Sequence, residues 1–589
     1  MKETVLLSGN EAIARGAYEA GVRVAAGYPG TPSTEILENI VRYDTIYAEW
    51  SPNEKVAFEV ALGAAYGGAR ALAAMKHVGV NVASDPLLTA SYTGVNAGLV
   101  LVSADDPGMH SSQNEQDNRH YARFAKIPML EPSDSQEAKD FTIRAFQISE
   151  EYDTPVLLRT TTRVSHGKSV VHLGEPQEPA FGRFERNFQK YVMIPAYGIK
   201  RHVLVEERML RLRDLADSTD LNVIEWGNPP RRIGVITSGI SYQYVKEVVP
   251  DASVLKLGMT YPIPERLIRE FASKVEALYV VEELDPFLEE QIRALGLKVI
   301  GKERFPIVGE LSPTIVAAGF AGEKASSTAE PATTAEVPAR PPVLCPGCPH
   351  RGFFQVLRKL NAIVTGDIGC YTLGVLPPLE TMDTCVCMGA SIGNALGVKR
   401  AMPADDERPV VAVIGDSTFV HAGIPGLIDA VYNSTAATIC ILDNRTTAMT
   451  GGQDHPASGK TLSGQDAPKL DLAALAHAIG VEDVLLVDPY DLTAVENALK
   501  YAVQTEKPSV VIASRPCVLI DRRAKAHAAA VEVETCTGCQ LCFRIGCPAI
   551  ESVQMDDGKL KARVNTDLCA GCGVCIQVCR AGAIGREQE

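Results

Sequence analysis

The chain has 589 residues, too many for one hydrophobic core, and this length predicts about three to five domains. Its formal net charge is -15 and no basic stripe is visible, so we expect no nucleic-acid partner. No stretch approaches the roughly 20 apolar residues that span a bilayer, and the first residues lack the apolar run of a signal peptide. We therefore expect a cytoplasmic protein with no membrane segment.

Cysteine is abundant and unevenly placed. The chain has 15 cysteines, and eight of them fall in the last 54 residues. In a reducing compartment, clustered cysteines are metal ligands more often than they are disulfides. The distribution therefore predicts metal centres near the C-terminal end of the sequence.

The first third of the chain alternates glycine-rich turns with apolar runs and helical patterns. Apolar runs at 22–27, 98–106 and 154–162 predict buried strands, and residues 53–75 favour a buried helix rich in small residues. A helix capped by Thr31 or Ser33 is expected after the first strand. Strands alternating with helices imply a parallel sheet covered on both faces.

Two further α/β units follow. The first has predicted strands at 231–239, 253–260 and 277–283, and the second has them at 410–416, 437–444 and 509–515. Between these units, residues 323–342 are rich in Ala, Ser, Thr and Pro and lack periodicity, which is typical of a flexible linker. The predicted fold class is therefore multidomain α/β with a small cysteine-rich module at the end.

That module contains two cysteine runs. The first run is Cys536, Cys539, Cys542 and Cys547, and the second is Cys569, Cys572, Cys575 and Cys579. In each run, two residues separate the first cysteine from the second and the second from the third, so the three can wrap one face of a cubane iron–sulfur cluster. In two-cluster ferredoxins the fourth ligand comes from the other run. We therefore expect two [4Fe–4S] clusters, with Cys579 completing the first and Cys547 the second. Zinc knuckles are the alternative, but zinc sites usually include histidine, and none follows His527.

Polar residues follow two buried strands of the last α/β unit. Gly415, Asp416 and Ser417 follow one strand, and Asp443 and Asn444 end the next. Both sets fall at the carboxyl edge of a parallel sheet, where ligands of such sheets bind. A carboxylate and an amide oxygen, with a carbonyl just beyond, suit an octahedral Mg²⁺ that holds a diphosphate. For this pattern alone, a structural turn is the alternative.

The same segment resembles the signature of thiamine diphosphate enzymes, GDG followed by NN. The resemblance implies that Asp416 and Asn444 are the side-chain ligands of the metal and that Thr446 offers its backbone carbonyl. Ser417 and Asp443 depart from the signature, but neither departure removes a ligand.

A second resemblance extends this expectation to the start of the chain. Residues 27–70 resemble the pyrimidine domain of 2-oxoacid:ferredoxin oxidoreductases. This implies that Glu54 hydrogen-bonds the aminopyrimidine ring of thiamine and that Thr31 contacts the substrate carboxylate. A solvated carboxylate at a helix end is the alternative for Glu54. The thiamine resemblance also implies that Met388 wedges the cofactor into its bent shape, a core methionine being the alternative.

Polar side chains are dense at 75–85 and 103–119, between apolar strands. The candidates for lining a pocket are Lys76, His77, Asn81, His110, Gln113 and Gln116. Among them, His77 is suited to shuttle protons or to stabilise an oxyanion. Any one of these side chains is more often a structural hydrogen-bonder, but as a group they predict an active-site wall.

The remaining cysteines divide into two sets. Four of them resemble the proximal-cluster ligands of the β chains in the same family, namely Cys345, Cys348, Cys370 and Cys517. This resemblance implies a third cluster between thiamine and the ferredoxin module, although zinc or a simple thiol pair would explain the CxxC equally well. The other three, Cys385, Cys387 and Cys440, are expected to be ordinary small buried residues.

The order of the modules resembles the large subunits of indolepyruvate:ferredoxin oxidoreductases over nearly the whole chain. The expected modules are a pyrimidine domain at 1–185, a transketolase C-terminal-like domain at 186–322, a linker at 323–342, a diphosphate domain at 343–525 and a two-cluster ferredoxin domain at 526–589. The resemblance implies thiamine-dependent oxidative decarboxylation of aryl pyruvates with coenzyme A, and transfer of the electrons to ferredoxin. It also implies a small γ-type partner subunit in a heterotetramer. The alternatives are a non-oxidative thiamine decarboxylase, an oxidoreductase for another 2-oxo acid, and a pure electron-transfer protein.

Overall fold

The computed structural model describes residues 3–178, 182–323, 341–403, 405–521, 527–556 and 558–586. The chain divides into two compact units, Met1–Ala335 and Glu336–Glu589. Nearly all of the predicted linker, 323–342, lies outside the described residues. Within these ranges, no helix is both long enough and apolar enough to cross a membrane.

The first unit is an α/β structure. Its strands are β1 (Thr4–Ser8), β2 (Val24–Gly27), β3 (Tyr47–Trp50), β4 (Ala71–Lys76), β5 (Leu99–Asp105), β6 (Met129–Leu130), β7 (Val156–Thr161), β8 (Lys168–His172), β9 (Asn222–Glu225), β10 (Ile233–Thr237), β11 (Ser253–Leu257), β12 (Met259–Tyr261) and β13 (Ala277–Val281). Its helices are α1 (Gly9–Glu19), α2 (Thr34–Ile40), α3 (Glu54–Tyr66), α4 (His77–Thr93), α5 (Arg119–Ala125), α6 (Ser135–Tyr152), α7 (Thr162–His166), α8 (Phe188–Tyr191), α9 (Pro195–Ser218), α10 (Gly239–Val248), α11 (Glu265–Ala272), α12 (Phe287–Ala294) and α13 (Pro313–Ala321).

Two sheets dominate this unit. The larger has the strand order β12-β6-β7-β5-β4-β2-β3, and all of its neighbouring pairs are parallel except β12 with β6. The smaller has the order β13-β10-β11-β9, in which only β9 is antiparallel. Strand β5 is buried at every position, as a parallel strand covered on both faces must be. The prediction of buried parallel sheets is confirmed.

Two sequence-based predictions were wrong in detail. The expected helix over 53–75 is α3 followed by strand β4, and Gly68 has a φ of +88° in the turn between them. The expected strand over 253–260 is also two elements, because β11 and β12 belong to different sheets. Gly258 separates them at a point where a Cβ would lie 2.4 Å from the Leu221 carbonyl oxygen. Strand β12 thereby joins the larger sheet, so this sheet draws on both expected domains, 1–185 and 186–322.

The second unit contains one large parallel sheet and two small ribbons. Its strands are β14 (Ile363–Gly366), β15 (Thr384–Cys385), β16 (Val410–Gly415), β17 (Thr438–Asp443), β18 (Asp483–Val487), β19 (Ser509–Ser514), β20 (Ala529–Val531), β21 (Ile550–Gln554), β22 (Leu560–Val564) and β23 (Ile584–Arg586). Its helices are α14 (Pro349–Leu357), α15 (Ala390–Ala401), α16 (Asp416–Thr418), α17 (Ile424–Tyr432), α18 (Leu472–Ile479), α19 (Leu492–Ala502) and α20 (Val574–Val578).

The large sheet has the order β15-β14-β16-β17-β19-β18, and every neighbouring pair is parallel. Consequently all of its strands end at one edge, and the loops that follow them lie side by side. The cysteine-rich module consists of the antiparallel pairs β20–β23 and β21–β22. Between these short strands, the cysteine runs occupy turns, a 3-10 segment (Leu541–Ile545) and helix α20.

Candidate functional site

The cysteines of the C-terminal module line two separate cavities. One cavity is lined by Cys536, Cys539, Cys542 and Cys579. The other is lined by Cys547, Cys569, Cys572 and Cys575, together with Cys348. Each cavity therefore brings together three cysteines of one run and the last cysteine of the other.

The thiols of the C-terminal module are not gathered at the spacing of a single zinc ion. Tetrahedral zinc, with Zn–S bonds of about 2.3 Å, holds its sulfurs only about 3.8 Å apart. In the part of the chain that is described, no three of these thiols converge within 4.8 Å of one another. The Cys569 sulfur also accepts N–H groups from Ala529 and Gly571, both at 3.4 Å, and such bonds to cluster sulfurs help to set a reduction potential.

The four other candidate ligands gather around the start of helix α14. The Cys348 N–H donates to the Cys345 carbonyl at 3.1 Å, which closes the CPGC turn. Burial, together with the neighbouring thiols of Cys517 and Cys345, raises the pKa of Cys370 to about 11. Burial raises the pKa of Cys348 too, with Cys370 and Cys345 acting in the same direction. The four thiols are thus electrostatic neighbours in a largely buried setting.

The remaining cysteines differ from expectation. Cys440 is buried on strand β17, but Cys385 and Cys387 are exposed, so the prediction of burial was wrong for these two. They fall in a segment, 383–387, whose residues are all exposed. Met388 follows them, half-buried, and precedes Gly389, the N-cap of α15.

Asp416 and Asn444 lie at the same edge of the large sheet, because they follow the adjacent parallel strands β16 and β17. Asp416 is 2% exposed. Its carboxylate accepts N–H groups from Ser417 at 2.9 Å and from Arg445 at 2.8 Å. Because Arg445 belongs to the loop after β17, the second of these bonds ties the two loops together.

Asn444 connects this edge to a candidate cluster ligand. Its carbonyl oxygen accepts the Cys517 N–H at 2.9 Å. Its side-chain oxygen accepts the Thr446 N–H at 3.1 Å, and Ser417 Oγ lies 2.9 Å from Thr447 Oγ1 across the two loops. The expected metal ligands and Cys517 therefore belong to one hydrogen-bonded assembly.

Sequence reasoning missed three polar residues around this edge. The Nε2 of His455, a buried residue, lies 3.2 Å from Asp416 Oδ2. Burial lowers the pKa of His350 to about 4, although the charge of Asp416 opposes this shift. Asp367, directly after β14, accepts the N–H of Gly389 at 2.8 Å and so holds the start of α15. Its position after a buried strand is the signal that would have identified it.

Glu54 is the first residue of α3 in the first unit, and it is 4% exposed. The helix begins here because the Asn53 side chain accepts the Val56 N–H at 3.0 Å. Helix α4 contributes Gly79, where a Cβ would lie 2.7 Å from Glu54 Oε1. The glycine therefore provides the space that this buried carboxylate occupies.

Lys76 lies near Glu54, at the end of strand β4. Burial lowers the pKa of Lys76, while the carboxylates of Asp106 and Glu54 act in the opposite direction. Its ammonium group donates to the Ser111 carbonyl at 2.9 Å. A cation and a carboxylate thus come close together beside the start of α4.

His77 begins α4 and belongs to a polar cluster. Its Nε2 lies 3.2 Å from Asn114 Oδ1, and burial lowers its pKa, so the neutral ring is favoured. Its carbonyl accepts N–H groups from Asn118 at 3.0 Å and from Gln116 at 3.3 Å. The Gln116 amide also donates to Asn81 at 2.7 Å. Three of the residues expected to line a pocket are therefore brought together.

The other predicted substrate-binding residues, Thr31, His110 and Gln113, are less closely associated. The Thr31 carbonyl accepts the Ser111 hydroxyl at 3.3 Å, near the Lys76 contact. His110 is exposed and lies 3.3 Å from Glu310, and Gln113 is also exposed. These last two lie at the surface of the unit.

A network of buried charges lies beyond the polar cluster and was not expected from the sequence. Arg119 bonds Asp117 and Glu282, each at 2.5 Å, and Arg159 bonds Asp105 at 2.8 Å. Burial alone would raise the pKa of Asp117, but Arg119 and then Arg159 hold it below its ordinary value. Because Glu282 follows β13, the network joins the larger sheet to the smaller one.

Three family models match parts of the chain. They are described as "Pyruvate flavodoxin/ferredoxin oxidoreductase, thiamine diP-bdg" over residues 15–207, "Thiamine pyrophosphate enzyme, C-terminal TPP binding domain" over residues 367–513, and "4Fe-4S dicluster domain" over residues 529–580. The predicted thiamine-binding and iron–sulfur modules are thereby confirmed.

Curated relatives match the chain over its whole length. Indolepyruvate oxidoreductase subunit IorA of Pyrococcus horikoshii is 43% identical, over 100% of this chain and 97% of that protein. The same subunit of Archaeoglobus fulgidus is 43% identical, over 99% of this chain and 97% of that protein. 2-Oxoglutarate synthase subunit KorA of Methanothermobacter thermautotrophicus is 28% identical over 52% of this chain and 95% of KorA. The chain belongs to the indolepyruvate oxidoreductase IorA family, within the 2-oxoacid:ferredoxin oxidoreductases.

Proposed function

We propose that this chain is the thiamine- and cluster-bearing subunit of an enzyme that oxidatively decarboxylates indolepyruvate and related aryl pyruvates. Coenzyme A is the proposed acyl acceptor, and ferredoxin the proposed electron acceptor. One observation carries the proposal: the carbonyl of Asn444, a candidate metal ligand, accepts the amide N–H of Cys517, a candidate cluster ligand, at 2.9 Å. A decarboxylase that released an aldehyde would not need the loop after β17, which carries Asn444, to be hydrogen-bonded to an electron-transfer centre.

The proposed catalytic groups of the first unit are Glu54 and His77. Thiamine diphosphate, when bound, supplies the electron sink that lets a 2-oxo acid lose CO₂. The buried Glu54 carboxylate is proposed to hydrogen-bond the aminopyrimidine ring. His77 offers a buried Nδ1 that has no hydrogen-bond partner among the residues described, so this atom is available to hold or move a proton near the substrate. Thr31, Lys76 and Gln116 are proposed to line the substrate pocket.

The proposed diphosphate site lies at the carboxyl edge of the large sheet. Asp416, Asn444 and the Thr446 carbonyl are proposed to hold Mg²⁺, since oxygen donors of this kind are the ligands that this ion prefers. Met388 is proposed to bend the cofactor. His455, 3.2 Å from Asp416, is added to the residues of this site.

The electrons are proposed to leave through three [4Fe–4S] clusters. The two in the C-terminal module share their ligands crosswise, which the lining of each cavity supports. The third is held by Cys345, Cys348, Cys370 and Cys517. At Gly347, within the CPGC turn, a Cβ would lie 2.5 Å from the Cβ of Ala570, so this turn touches the loop of the second cysteine run. Two of the proposed clusters are therefore neighbours.

The proposed partners follow from this chemistry. One-electron clusters suit an external ferredoxin. The relatives are named as a subunit, which argues for a second chain, and we propose that this second chain is smaller and completes a heterotetramer. The abundance of unpaired cysteines favours a reducing compartment, so we propose a cytoplasmic location.

The function is tested by turnover of indolepyruvate with the chain and its partner subunit expressed together. Formation of indoleacetyl-CoA should require coenzyme A and should reduce two equivalents of a viologen dye per CO₂. Aldehyde release without dye reduction would show a non-oxidative decarboxylase. Faster turnover of pyruvate or 2-oxoglutarate would assign another 2-oxo acid as the substrate.

A further inference from the structure

One buried cation lies between two of the proposed cluster sites. Arg351, in the first turn of α14, is 4% exposed. Its guanidinium group donates to the carbonyl oxygens of Leu344, Cys345 (3.0 Å), Ile545 (3.1 Å) and Gly546 (2.5 Å). The Leu344 carbonyl directly precedes the CPGC turn and the Cys345 carbonyl belongs to it. The Ile545 and Gly546 carbonyls come just before Cys547. One side chain therefore spans both loops.

The charge of Arg351 lacks a carboxylate partner. A buried guanidinium is normally paired with a carboxylate, because an isolated buried charge is costly. In the described ranges, none of the ion pairs includes Arg351; its partners are neutral carbonyls. Burial lowers the pKa of Arg351, and the groups that oppose this shift are the thiols of Cys547, Cys348, Cys345 and Cys572.

We propose that Arg351 is a positioning residue and a shared counter-charge for two iron–sulfur clusters. One is the cluster proposed on Cys345, Cys348, Cys370 and Cys517, and the other is the cluster proposed on Cys547, Cys569, Cys572 and Cys575. The inference rests on the proposed function in that both sites hold a cluster. Each cluster gains one electron on reduction without forming or breaking a bond, and its charge becomes more negative. A fixed positive charge beside both sites favours this reduced form and raises both potentials together.

Close packing leaves the cation little freedom. Arg351 lines the same cavity as Cys348, Cys547 and Cys572. Gly546 has a φ of +68°, and a Cβ at this position would lie 3.1 Å from Arg351 Nη1. The side chain is therefore held by both loops, and its charge cannot move to solvent without separating them.

The test is a redox titration of the purified holoenzyme, followed by electron paramagnetic resonance without substrate. The variants are Arg351→Gln, which removes the charge, and Arg351→Lys, which keeps the charge but loses the forked hydrogen bonds. Arg358→Gln is the matched control, since Arg358 is an exposed cation seven residues further along. Iron is counted in every preparation.

In Arg351→Gln, the equilibrium constant for reduction should fall about tenfold or more, a shift of about 59 mV for a one-electron couple, in both flanking clusters. For the cluster on Cys536, Cys539, Cys542 and Cys579, the equilibrium constant for reduction should stay within about threefold of the wild-type value. The same limit should hold for every cluster in Arg351→Lys and in Arg358→Gln. Failure of Arg351→Gln alone to assemble the flanking clusters would also support the counter-charge.

Three results would overturn the inference. They are unchanged potentials in Arg351→Gln, equal shifts or equal iron loss in the Gln and Lys variants, and a wild-type count of about eight irons rather than about twelve. Because no substrate is present, these results are independent of the decarboxylation assay, and failure of that assay leaves the potentials interpretable.

Discussion

Gly79→Ala tests the proposed role of Glu54 without altering any titratable group. The added Cβ would lie 2.7 Å from both Cγ and Oε1 of Glu54 and 3.0 Å from its carboxyl carbon. Ordinary contacts are roughly 0.7–1 Å longer, so the carboxylate must move by about that distance. Glu54 is buried at a helix start, and a displacement of this size is enough to misalign a catalytic hydrogen bond.

The expected magnitudes differ for activity and stability. A misplacement of about 1 Å costs about 10²-fold in rate, so kcat should fall by this factor. Alanine is preferred to glycine inside a helix by about 1 kcal/mol, while overpacking costs about 1–3 kcal/mol. The free energy of unfolding should therefore fall by no more than about 2 kcal/mol, and the fold should persist.

The assay compares viologen reduction by Gly79→Ala with that of a matched glycine replacement. Gly63 lies in α3, where an added Cβ meets nothing within 4 Å, so Gly63→Ala should keep full activity. The cluster signals and iron content of both variants should equal those of the wild type. A Gly79→Ala enzyme with kcat within twofold of the wild type would refute the placement of Glu54 at the reacting centre.

Four further outcomes are expected. Glu54→Gln should abolish turnover while the cluster resonances remain; their loss would mean that its role is structural. Asp416→Ala should abolish thiamine diphosphate binding in calorimetry with the iron content unchanged, and unaltered affinity would exclude it as a ligand. Cys547→Ala should remove about four irons and leave the resonances of the cluster on the other cavity intact, whereas loss of both clusters would argue against the crossed ligand set. Burial raises the pKa of Glu283 from 4.5 to about 6, so the free energy of unfolding should fall as pH rises through this window. In urea unfolding, the stability of Glu283→Gln relative to the wild type should therefore increase by about 2 kcal/mol between pH 4 and pH 7. A difference in stability that stays constant over this range would refute the shift.

Much of the fold was predictable because buried parallel strands appear as continuous apolar runs. Strands β5, β16 and β17 are of this kind, and the polar residues that follow them in sequence lie at the sheet edge. Cysteine spacing was equally informative, because a cubane constrains its ligands locally. Each cavity gathers the three close cysteines of one run, and Cys547 and Cys579 cross between them.

The errors arose where local composition was ambiguous. Residues 53–75 are rich in small and apolar side chains, which suit a buried helix and a buried strand equally, and the break depends on a glycine turn at Gly68. The two strands on either side of Gly258 form one apolar run in sequence. At Gly258, where the two strands part, the chain passes too close to the Leu221 carbonyl for a Cβ to fit.

Other parts of the site depend on tertiary contacts that have no local signal. The contact of His455 with Asp416 joins residues far apart in sequence, as does the link from Arg119 to Glu282. Arg351 would pass for an ordinary helix residue in the sequence, since its partners at Ile545 and Gly546 lie nearly two hundred positions away. Exposure of Cys385 and Cys387 was unexpected because cysteines are usually buried.

The central claim is that electrons from the decarboxylated 2-oxo acid enter the clusters of this chain. The most direct measurement is an anaerobic single turnover of the assembled enzyme with indolepyruvate and coenzyme A but no external acceptor, frozen and examined by electron paramagnetic resonance. We predict that reduced-cluster signals appear as indoleacetyl-CoA forms, with two electrons per product, and that Glu54→Gln shows neither. Product formation while the clusters remain oxidised would contradict this account.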